Sequence, residues 1–389
     1  MAASNPVSEP QINIKICDQI ENIAPETWNT LVTDNNPFLR HEFLSALERY
    51  NCVGEHFGWL PSHIAIYDGT TLVGAMPFYE KHNAYGEFVF DHTWSDAYQR
   101  AGLRYYPKYV SAIPYTPATG QRLLCKPEYR ELIQPLLLQT AMELTRSSGA
   151  GSFHILFPPE AEHSWLESNG LITRHDCQFL WHNQNYRDFD HFLETLNNRK
   201  RKNIRQERRR VQQSNIKIRR LNGHTATDED WQHFSRFYNR TFEEKWGMAT
   251  FNLDFFRAIA NALPEQIILV LADHKDRTLA GALMYRSDSI LYGRHWGCDE
   301  QIDSLHFEAC YYQGIEYAIE NGLRLFEPGA QGEHKIARGF VPTLTRSSHW
   351  LTDEAFKPSI RQFCLHEQAA VAEYMSDLQQ HLPYKKTST

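Results

Sequence analysis

Two stretches of the chain decide how it is organised: TLVGAMPFYEKHNAYG at residues 71–86 and TLAGALMYRSDSILYG at residues 278–293. The second lies 207 positions after the first, and six of the sixteen aligned residues are identical. Only about one identity would arise by chance over such a length, so the repeat predicts two copies of one structural unit.

Each copy is predicted to contain a β-hairpin and further elements in one shared order. Apolar runs at residues 64–67 and 267–272 each lead into a polar turn and a second apolar run, as in hairpins. The other expected pairs are third strands at 85–91 and 290–297, helices at 135–146 and 306–320, short strands at 153–157 and 323–326, and upstream helices at 38–48 and 251–261. This combination predicts an α+β fold.

The first copy carries an insertion. Gly151 and Gly322, which introduce the last strand of each copy, are 171 rather than 207 positions apart, so the first copy holds 36 extra residues. The extra segment, residues 93–127, is rich in tryptophan and tyrosine. Both a flap that covers the core and a lid that faces the substrate fit such a segment.

A strongly basic segment separates the two copies. Apolar residues recur at helical spacing over residues 189–213, which predicts one long helix with a single apolar stripe. Eleven basic residues and one acid lie between positions 199 and 220, in a chain whose net charge is −7. The basic face of this helix carries Arg201, Lys202, Arg205, Arg208 and Arg209. That face is either a solvated surface or a site that contacts phosphate or RNA.

Composition indicates an ordinary folded chain, with 42% hydrophobic and 22% charged residues. No apolar run approaches the ~20 residues that a membrane-spanning helix needs, and no signal sequence is visible, so we expect a cytoplasmic protein. The seven cysteines are scattered and never spaced as C-x-x-C, which favours reduced thiols. We therefore expect no metal and no tightly bound cofactor.

Two segments outside the repeat carry a resemblance to a known family: LNNRKRKNIRQERRRV at residues 196–211 and LFEPGAQGEHKIARGF at residues 325–340. With the duplicated unit, they resemble the Fem-type branch of the GNAT acyltransferase superfamily, and in particular its FemAB-like group, over residues 36–350. The resemblance implies an α+β fold of tandem duplicated GNAT-like domains, the acyl-CoA N-acyltransferase fold, joined by a long basic helix. The expected bounds are an N-terminal domain at 11–185, the connecting helix at 186–215 and a C-terminal domain at 216–383.

The resemblance also implies a reaction, the transfer of an acyl or aminoacyl group to an amine by direct attack. Fem-type enzymes take the group from aminoacyl-tRNA and build peptidoglycan cross-bridges, whereas ordinary GNAT enzymes use acyl-CoA. The expected donor is therefore acyl-CoA or aminoacyl-tRNA, with tRNA as a partner in the second case. The expected acceptor is a small molecule or a peptidoglycan precursor that carries an amine.

One segment departs from the ordinary GNAT pattern. Those enzymes carry an [RQ]-x-x-G-x-[GA] turn after the third strand, where backbone N–H groups hold the CoA pyrophosphate. Here residues 298–305 contain no glycine and carry Asp299, Glu300 and Asp303, which would repel a diphosphate. This departure disfavours CoA in its usual pose and favours a charged tRNA or another acyl donor.

The residues expected to carry the reaction lie mainly in the second copy. Forming an amide needs a group that takes a proton from the amine and donors for the oxyanion. The catalytic candidates are His334, Lys335, His295 and Glu308. The substrate-binding candidates are Arg294, Trp296, Gly329, Gln331, Gly332 and Arg338, with Asp91, Trp94 and Asp96 at the matching strand end of the first copy. Lys335, followed by Gly339 and Phe340, loosely matches a pattern in the substrate cleft of Fem-type enzymes.

Structural interpretations of these candidates stand beside the functional ones. Residues 333–338 also fit a charged turn with a salt bridge, and Glu308 fits an acid that stabilises a helix N-terminus. A buried, hydrogen-bonded role suits His295 as well as catalysis does. Strand alternation predicts that His295 points to the face opposite Tyr292, Arg294 and Trp296.

Two further functions remain open at this point. The loss of the CoA turn fits a non-catalytic protein that keeps two degenerate GNAT folds and recognises a cell-wall precursor or an RNA. Alternatively, the chain uses acyl-CoA to acylate the amine of a lipid or metabolite, with the aromatic insertion receiving an apolar chain.

Overall fold

The computed structural model describes residues 10–244, 247–330 and 332–385. Its strands are β1 (Ile12–Cys17), β2 (Trp59–Pro61), β3 (His63–Asp68), β4 (Thr71–Met76), β5 (Tyr79–Lys81), β6 (Lys108–Ser111), β7 (Leu124–Cys125), β8 (Ser152–Leu156), β9 (Ile172–His182), β10 (Ile216–Leu221), β11 (Ile267–His274), β12 (Arg277–Arg286), β13 (Ile290–Cys298), β14 (Leu325–Glu327) and β15 (Val341–Leu351).

Its helices are α1 (Pro25–Asn29), α2 (His41–Arg49), α3 (His92–Arg100), α4 (Arg130–Ser147), α5 (Glu160–Ser168), α6 (Phe189–Thr195), α7 (Asn198–Gln213), α8 (Asp228–Glu244), α9 (Leu253–Ala262), α10 (Leu305–Phe307), α11 (Gln313–Glu320) and α12 (Lys357–Gln379). A π-helical turn, Glu308–Tyr312, joins α10 to α11, and a 3₁₀ helix covers Glu333–Arg338. Within the described ranges, no helix is both long and apolar enough to cross a membrane.

Two sheets organise these elements into a mixed α+β architecture. The smaller has the order β1-β3-β4-β7, and the larger runs β10-β11-β12-β13-β14-β9-β15-β8-β6-β5-β2. The larger sheet draws strands from both copies, since β14 pairs with β9 and β15 pairs with β8 and β9. The copies are therefore joined by backbone hydrogen bonds as well as by side-chain packing.

The repeat predicted from the sequence forms two matching hairpins. Strand β3 pairs antiparallel with β4, and β11 pairs antiparallel with β12. Each hairpin contains one register shift, after Ile66 in the first copy and after Ala272 in the second. The helices expected upstream, α2 and α9, face one another across the copies, with the rings of Phe43 and Phe255 5.6 Å apart.

The third strand predicted at residues 85–91 does not form. Gly86 and Phe88 adopt positive φ angles of 83° and 59°, which interrupt an extended backbone. Glu87 and Asp91 are buried and both bind the ammonium group of Lys108. The segment is held by side-chain ion pairs, and its place beside β5 is taken by β6 from the insertion.

The helix predicted over residues 189–213 is broken into α6 and α7. The Asn197 side chain accepts a hydrogen bond from the Lys200 N–H and caps α7. The backbone N–H of Asn197 donates to Pro383 O. The predicted apolar stripe is confirmed, because all six of its members are buried: Phe189, Phe192, Leu193, Leu196, Ile204 and Val211. A contact with the distant C-terminal segment therefore sets the break.

The insertion is mostly a covering flap. It forms α3, β6 and β7, and its Trp94, Tyr98 and Tyr105 pack in one buried cluster with Ile360 and Cys364 of α12. Tyr109 is buried elsewhere in the first copy.

Candidate active site

A β-bulge in β13 shapes the centre of the second copy. Gly293 pairs with Met284 and His295 pairs with Leu283, so Arg294 has no partner residue on β12. A bulge adds one residue to a strand and locally re-aims its side chains. The Arg294 side chain accordingly lies over the rings of Phe38 and Tyr292, 5.1 and 5.2 Å from their centroids.

The bulge overturns one part of the predicted orientation of His295, its placement on the face opposite Tyr292. Its partner Leu283 lies in the same apolar cluster as Tyr292, whereas Trp296 pairs with Ala282 in a different cluster. His295 therefore shares a face with Tyr292, and Trp296 lies on the other. Simple alternation fails here because it holds only for a strand without an extra residue.

A cleft opens where β13 and β14 part. The two strands run parallel for three residue pairs, ending at Tyr292 and Glu327, and a cavity of about 370 Å³ follows. Six of the predicted site residues line this cleft: Arg294, His295, Trp296, Gly329, His334 and Lys335. Others lining it are Tyr238, Thr241 and Phe242 of α8, with His306, Cys310 and Tyr311.

Lys335 is a buried lysine with a perturbed pKa. Its residue surface is 2% exposed, and its Nζ donates a 2.7 Å hydrogen bond to Gly329 O. Burial, and secondly the charge of Arg294, lower the pKa of Lys335 to about 7. No carboxylate of the described residues forms an ion pair with it, so the cost of its positive charge is only partly offset.

Arg294 is held rigidly but keeps one free donor. Its guanidinium donates to Gly293 O at 2.9 Å and to a Glu327 carboxylate oxygen at 3.3 Å. The Nε–H has no hydrogen-bond partner within the described ranges and is buried. Arg294 lines the cleft, so this donor lies in the wall of the cleft.

His295 sits among aromatic rings. The centroids of Tyr238 and Phe251 lie 5.2 and 5.3 Å from its ring, both in edge-on arrangements. Burial, and secondly Arg294, lower the pKa of His295 to about 3. The ring is therefore neutral at physiological pH and a weaker base than Lys335.

His334 lines the cleft and has an aromatic neighbour. Its Nε2 is 2.8 Å from the Tyr311 hydroxyl, and burial together with Arg338 and Lys335 lowers the pKa of the ring. Gly332, with a φ of 115°, lies against this ring, and Gln331 is outside the described residues.

Glu308 is placed in an ion-pair network outside the cleft. Its carboxylate accepts from Arg208 at 3.0 and 3.1 Å, and Arg208 also binds Glu316 at 2.7 Å. The Arg208 guanidinium lies over the Phe189 ring. Two residues predicted for separate roles, one in catalysis and one in RNA binding, thus bind each other and tie α7 to the second copy.

Arg338 is also bound to other groups of the protein. It donates to Glu207 of α7 at 2.7 Å, to the Tyr312 hydroxyl at 3.1 Å and to His334 O at 2.8 Å. Its guanidinium also stacks on the Phe307 ring. The side chain braces the 3₁₀ helix against α7 and does not line the cleft.

The rest of the basic face of α7 is more accessible. Lys202, Arg205 and Arg209 are exposed, and Arg201 is half-buried. Arg205 binds Asp190, and Arg201 binds Asn198.

The predicted site residues of the first copy do not meet the cleft. Asp91 is buried against Lys108 and the Tyr105 hydroxyl, and Trp94 is buried against His349. Asp96 is exposed on α3.

The acids of the turn after β13 are each bound by arginine. Asp299 pairs with Arg236 and Arg240, Glu300 with Arg277, and Asp303 with Arg210. Their charges are therefore largely compensated, which weakens the repulsion expected from the sequence.

A second cavity, of about 630 Å³, adjoins the cleft. The two share Arg294, His295, Gly329 and Ala330, together with rings from α8. Tyr115 and Pro117 are the parts of the insertion that line this second cavity. Sequence reasoning missed Glu327, although an acid in the otherwise apolar β14 is a signal of a buried ion pair.

Comparison with known proteins bears on the fold. A family model named FemAB-like and described as peptidoglycan biosynthesis/recognition matches residues 19–386. The structure is similar to that of FemX, with 13% identity, a TM-score of 0.53 and coverage of 87% of this chain and 98% of FemX. It is also similar to a tandem GNAT protein from the clavulanic acid biosynthesis pathway, with 10% identity, a TM-score of 0.45 and coverage of 88% and 99%. No curated protein sequence matches the chain. The family match and the likeness to FemX confirm the tandem GNAT-like fold.

Proposed function

The chain belongs to the FemAB-like family, and from that premise we propose that it is an N-acyltransferase that joins an activated acyl or aminoacyl group to an amine in the cleft of the second copy. The observation that carries the proposal is Lys335, a buried amine with a pKa near 7 at the point where β13 and β14 part. A group that titrates near neutral pH is suited to proton transfer.

In the proposed reaction, the lone pair of the acceptor amine attacks the carbonyl carbon of the donor. Neutral Lys335 takes the proton that the nitrogen must lose as the C–N bond forms. The C–O or C–S bond of the donor then breaks, and Lys335 returns the proton to the leaving oxygen or sulfur. Lys335 ends the cycle neutral, as it began, and no covalent enzyme intermediate is needed.

Arg294 is proposed to bind the oxygen that becomes negative during attack. Its Nε–H is already oriented by the bonds to Glu327 and Gly293 and needs an acceptor. Fixed donors of this kind act without reorganising during the reaction. Cys310 also lines the cleft, but burial raises the pKa of its thiol, which supports direct attack over a thiolate nucleophile.

The donor is proposed at the level of its chemistry, as an acyl ester or thioester. Aminoacyl-tRNA and acyl-CoA both meet that description. The exposed basic residues of α7, Lys202 and Arg209, support the RNA-borne donor, while the arginine pairs of the acids in the turn after β13 weaken one objection to a diphosphate.

The proposal is tested by replacing Lys335 with arginine, which keeps the charge but does not deprotonate. Amide formation from aminoacyl-tRNA or acyl-CoA and a peptidoglycan-precursor amine is followed by mass spectrometry. We expect the rate to fall by about 10²–10⁴-fold. The exposed Lys217, changed to arginine, is the matched control and is expected to keep full activity.

The pH profile sharpens this test. Wild-type kcat/KM should rise as the pH increases through about 7, because the neutral form of Lys335 is the active one. The Lys335→Arg protein should lack that rise. Wild-type rates with an unchanged profile in this variant would rule out the role given to Lys335.

A further inference from the structure

The second cavity has aromatic walls contributed by both copies. Four of its rings come from the first copy and two from α8 of the second: Tyr85, Phe88, Phe90, Tyr115, Tyr238 and Phe242. Its volume of about 630 Å³ lies within the range of roughly 300–1,000 Å³ that is typical of small-molecule sites.

The tyrosine hydroxyls of these walls are used by the protein itself. The Tyr85 hydroxyl donates to Met248 O at 2.7 Å, and the Tyr115 hydroxyl donates to Cys52 O at 2.9 Å. The Tyr238 hydroxyl lies 3.3 Å from the Thr250 hydroxyl. The rings therefore offer a ligand their apolar surfaces, with few groups free to bind a polar one.

The charged groups around the cavity favour neither a cation nor an anion. No carboxylate belongs to the described residues that line it, and its one arginine among them is Arg294. Arg294 is itself paired with Glu327, so the pair carries little net charge that would draw a charged ligand into the cavity. An uncharged apolar group is the ligand that these aromatic walls fit best.

The cavity leads directly to the reacting groups. Arg294, His295, Gly329 and Ala330 line both this cavity and the cleft that contains Lys335. A molecule that fills the cavity thus ends beside Arg294 and the carbonyl that binds Lys335.

We propose that the aromatic cavity binds a long apolar chain of the substrate, such as a fatty-acyl or other lipid chain, with its reacting end in the cleft. The proposal rests on the proposed function only for the chemistry at that end. The chain is carried either by the acyl donor or by the amine acceptor, and both sources share the same apolar recognition.

Chain binding is measured without turnover, using straight-chain alcohols of six to about twelve carbons as uncharged probes in a calorimetric titration. Affinity is expected to rise about fourfold for each added methylene until the cavity is filled. Affinity that does not depend on chain length would overturn the proposal.

Ala84 provides the matched pair of variants. It lines the aromatic cavity but not the cleft, so Ala84→Trp should fill space and weaken binding of the longest bound alcohol at least tenfold. Ala101 is exposed at the end of α3, and Ala101→Trp should leave binding unchanged. Phe90→Ala, compared with Phe363→Ala on α12, tests the walls without adding bulk. If Ala84→Trp and Phe90→Ala both bound the longest alcohol with wild-type affinity, that result would also refute the chain site.

Turnover then distinguishes the two sources. If the donor carries the chain, Ala84→Trp should raise KM for a long-chain acyl thioester and not for the amine; if the acceptor carries it, KM for a long-chain amine should rise instead. Alcohol binding without any amide product would contradict the proposed function but not the chain site. Amide formation that does not depend on chain length would contradict the chain site but not the proposed function.

Discussion

Lys108 in the first copy and Lys335 in the second are both buried, but their electrostatic surroundings are opposite. Lys108 is fully buried between Glu87 and Asp91, and these carboxylates outweigh the effect of burial and raise its pKa. Lys335 is almost as buried, but its Nζ meets a carbonyl oxygen, and its pKa falls to about 7. Burial alone therefore does not decide whether a lysine is structural or reactive.

The difference follows from which groups desolvation leaves beside the ammonium. A carboxylate neighbour stabilises the charge, whereas the dipole of a carbonyl offsets only part of its lost hydration. The first copy thus uses its lysine to fix residues 87–91 in a non-strand conformation. In the second copy, Lys335 lines the cleft and can lose its proton near neutral pH.

Removing the two lysines should have very different effects on stability. Lys108→Met leaves two buried carboxylates without their partner and is expected to lower the free energy of unfolding by about 3–5 kcal/mol. At pH 7, Lys335→Met replaces a buried amine that has no carboxylate partner with an apolar side chain, so its effect at that pH should stay within about 1 kcal/mol. Urea unfolding followed by circular dichroism measures both, and equal losses would refute the contrast.

The pH dependence of stability should also separate them. The pKa of Lys335 is about 7 in the folded chain and has the ordinary lysine value of 10.5 in the unfolded chain. Between pH 7 and pH 10.5, Lys335 therefore binds a proton in the unfolded chain but not in the folded one. Its contribution to the free energy of unfolding should therefore increase with pH, by up to about 1.4 kcal/mol per unit, and be lowest below pH 7. The difference between wild type and Lys335→Met isolates this slope.

Lys81 makes that subtraction necessary. Burial lowers the pKa of Lys81 to about 7 as well, but it lines neither the cleft nor the aromatic cavity. Because wild type and Lys335→Met both retain Lys81, its titration cancels in the difference. A difference without slope over this range would mean that Lys335 keeps an ordinary pKa.

Glu308, the acid at the start of the π-helical turn, also has an oppositely charged neighbour, which indicates a structural role. Glu308 is paired with Arg208, so Glu308→Gln should lower stability by about 1 kcal/mol while the transfer rate falls less than tenfold. Unfolding and amide formation are measured on one preparation. A loss of rate as large as that of Lys335→Arg would show that Glu308 takes part in catalysis.

Much of the fold was predictable because it depends on local patterns. The duplicated hairpins follow from apolar runs around polar turns, and the apolar stripe of α6 and α7 follows from helical spacing. The bulge at Arg294 was not predictable, since it depends on register with β12. The break at Asn197 depends on a contact with Pro383, which is distant in sequence.

The candidate site was predictable in composition but not in arrangement. Lys335 and His334 were identified from a charged, glycine-containing segment, and they do line the cleft. The partners that remove Glu308, Arg338 and Arg208 from it lie about a hundred or more residues away in sequence. Only the folded chain brings such charges together. A count of charges along one segment therefore overestimates how many charged side chains remain free to bind a ligand.

The smallest effects on stability are expected on the outer face of α7. Lys202 and Arg209 are exposed, so changing both to glutamate should alter the free energy of unfolding by no more than about 0.5 kcal/mol per site. If this face binds an RNA-borne donor, the double variant should lose tRNA affinity, and the dependence of affinity on salt should become less steep. Fluorescence anisotropy across a salt series measures both.

Arg208 is the control that distinguishes RNA binding from bracing. Arg208→Glu places a third acid beside Glu308 and Glu316, so it should destabilise the protein even with no RNA present. A loss of tRNA binding in that variant would therefore not identify a contact. Loss of binding in the Lys202 and Arg209 variant at unchanged stability would identify one, and unchanged binding there would make the outer face of α7 a solvated surface.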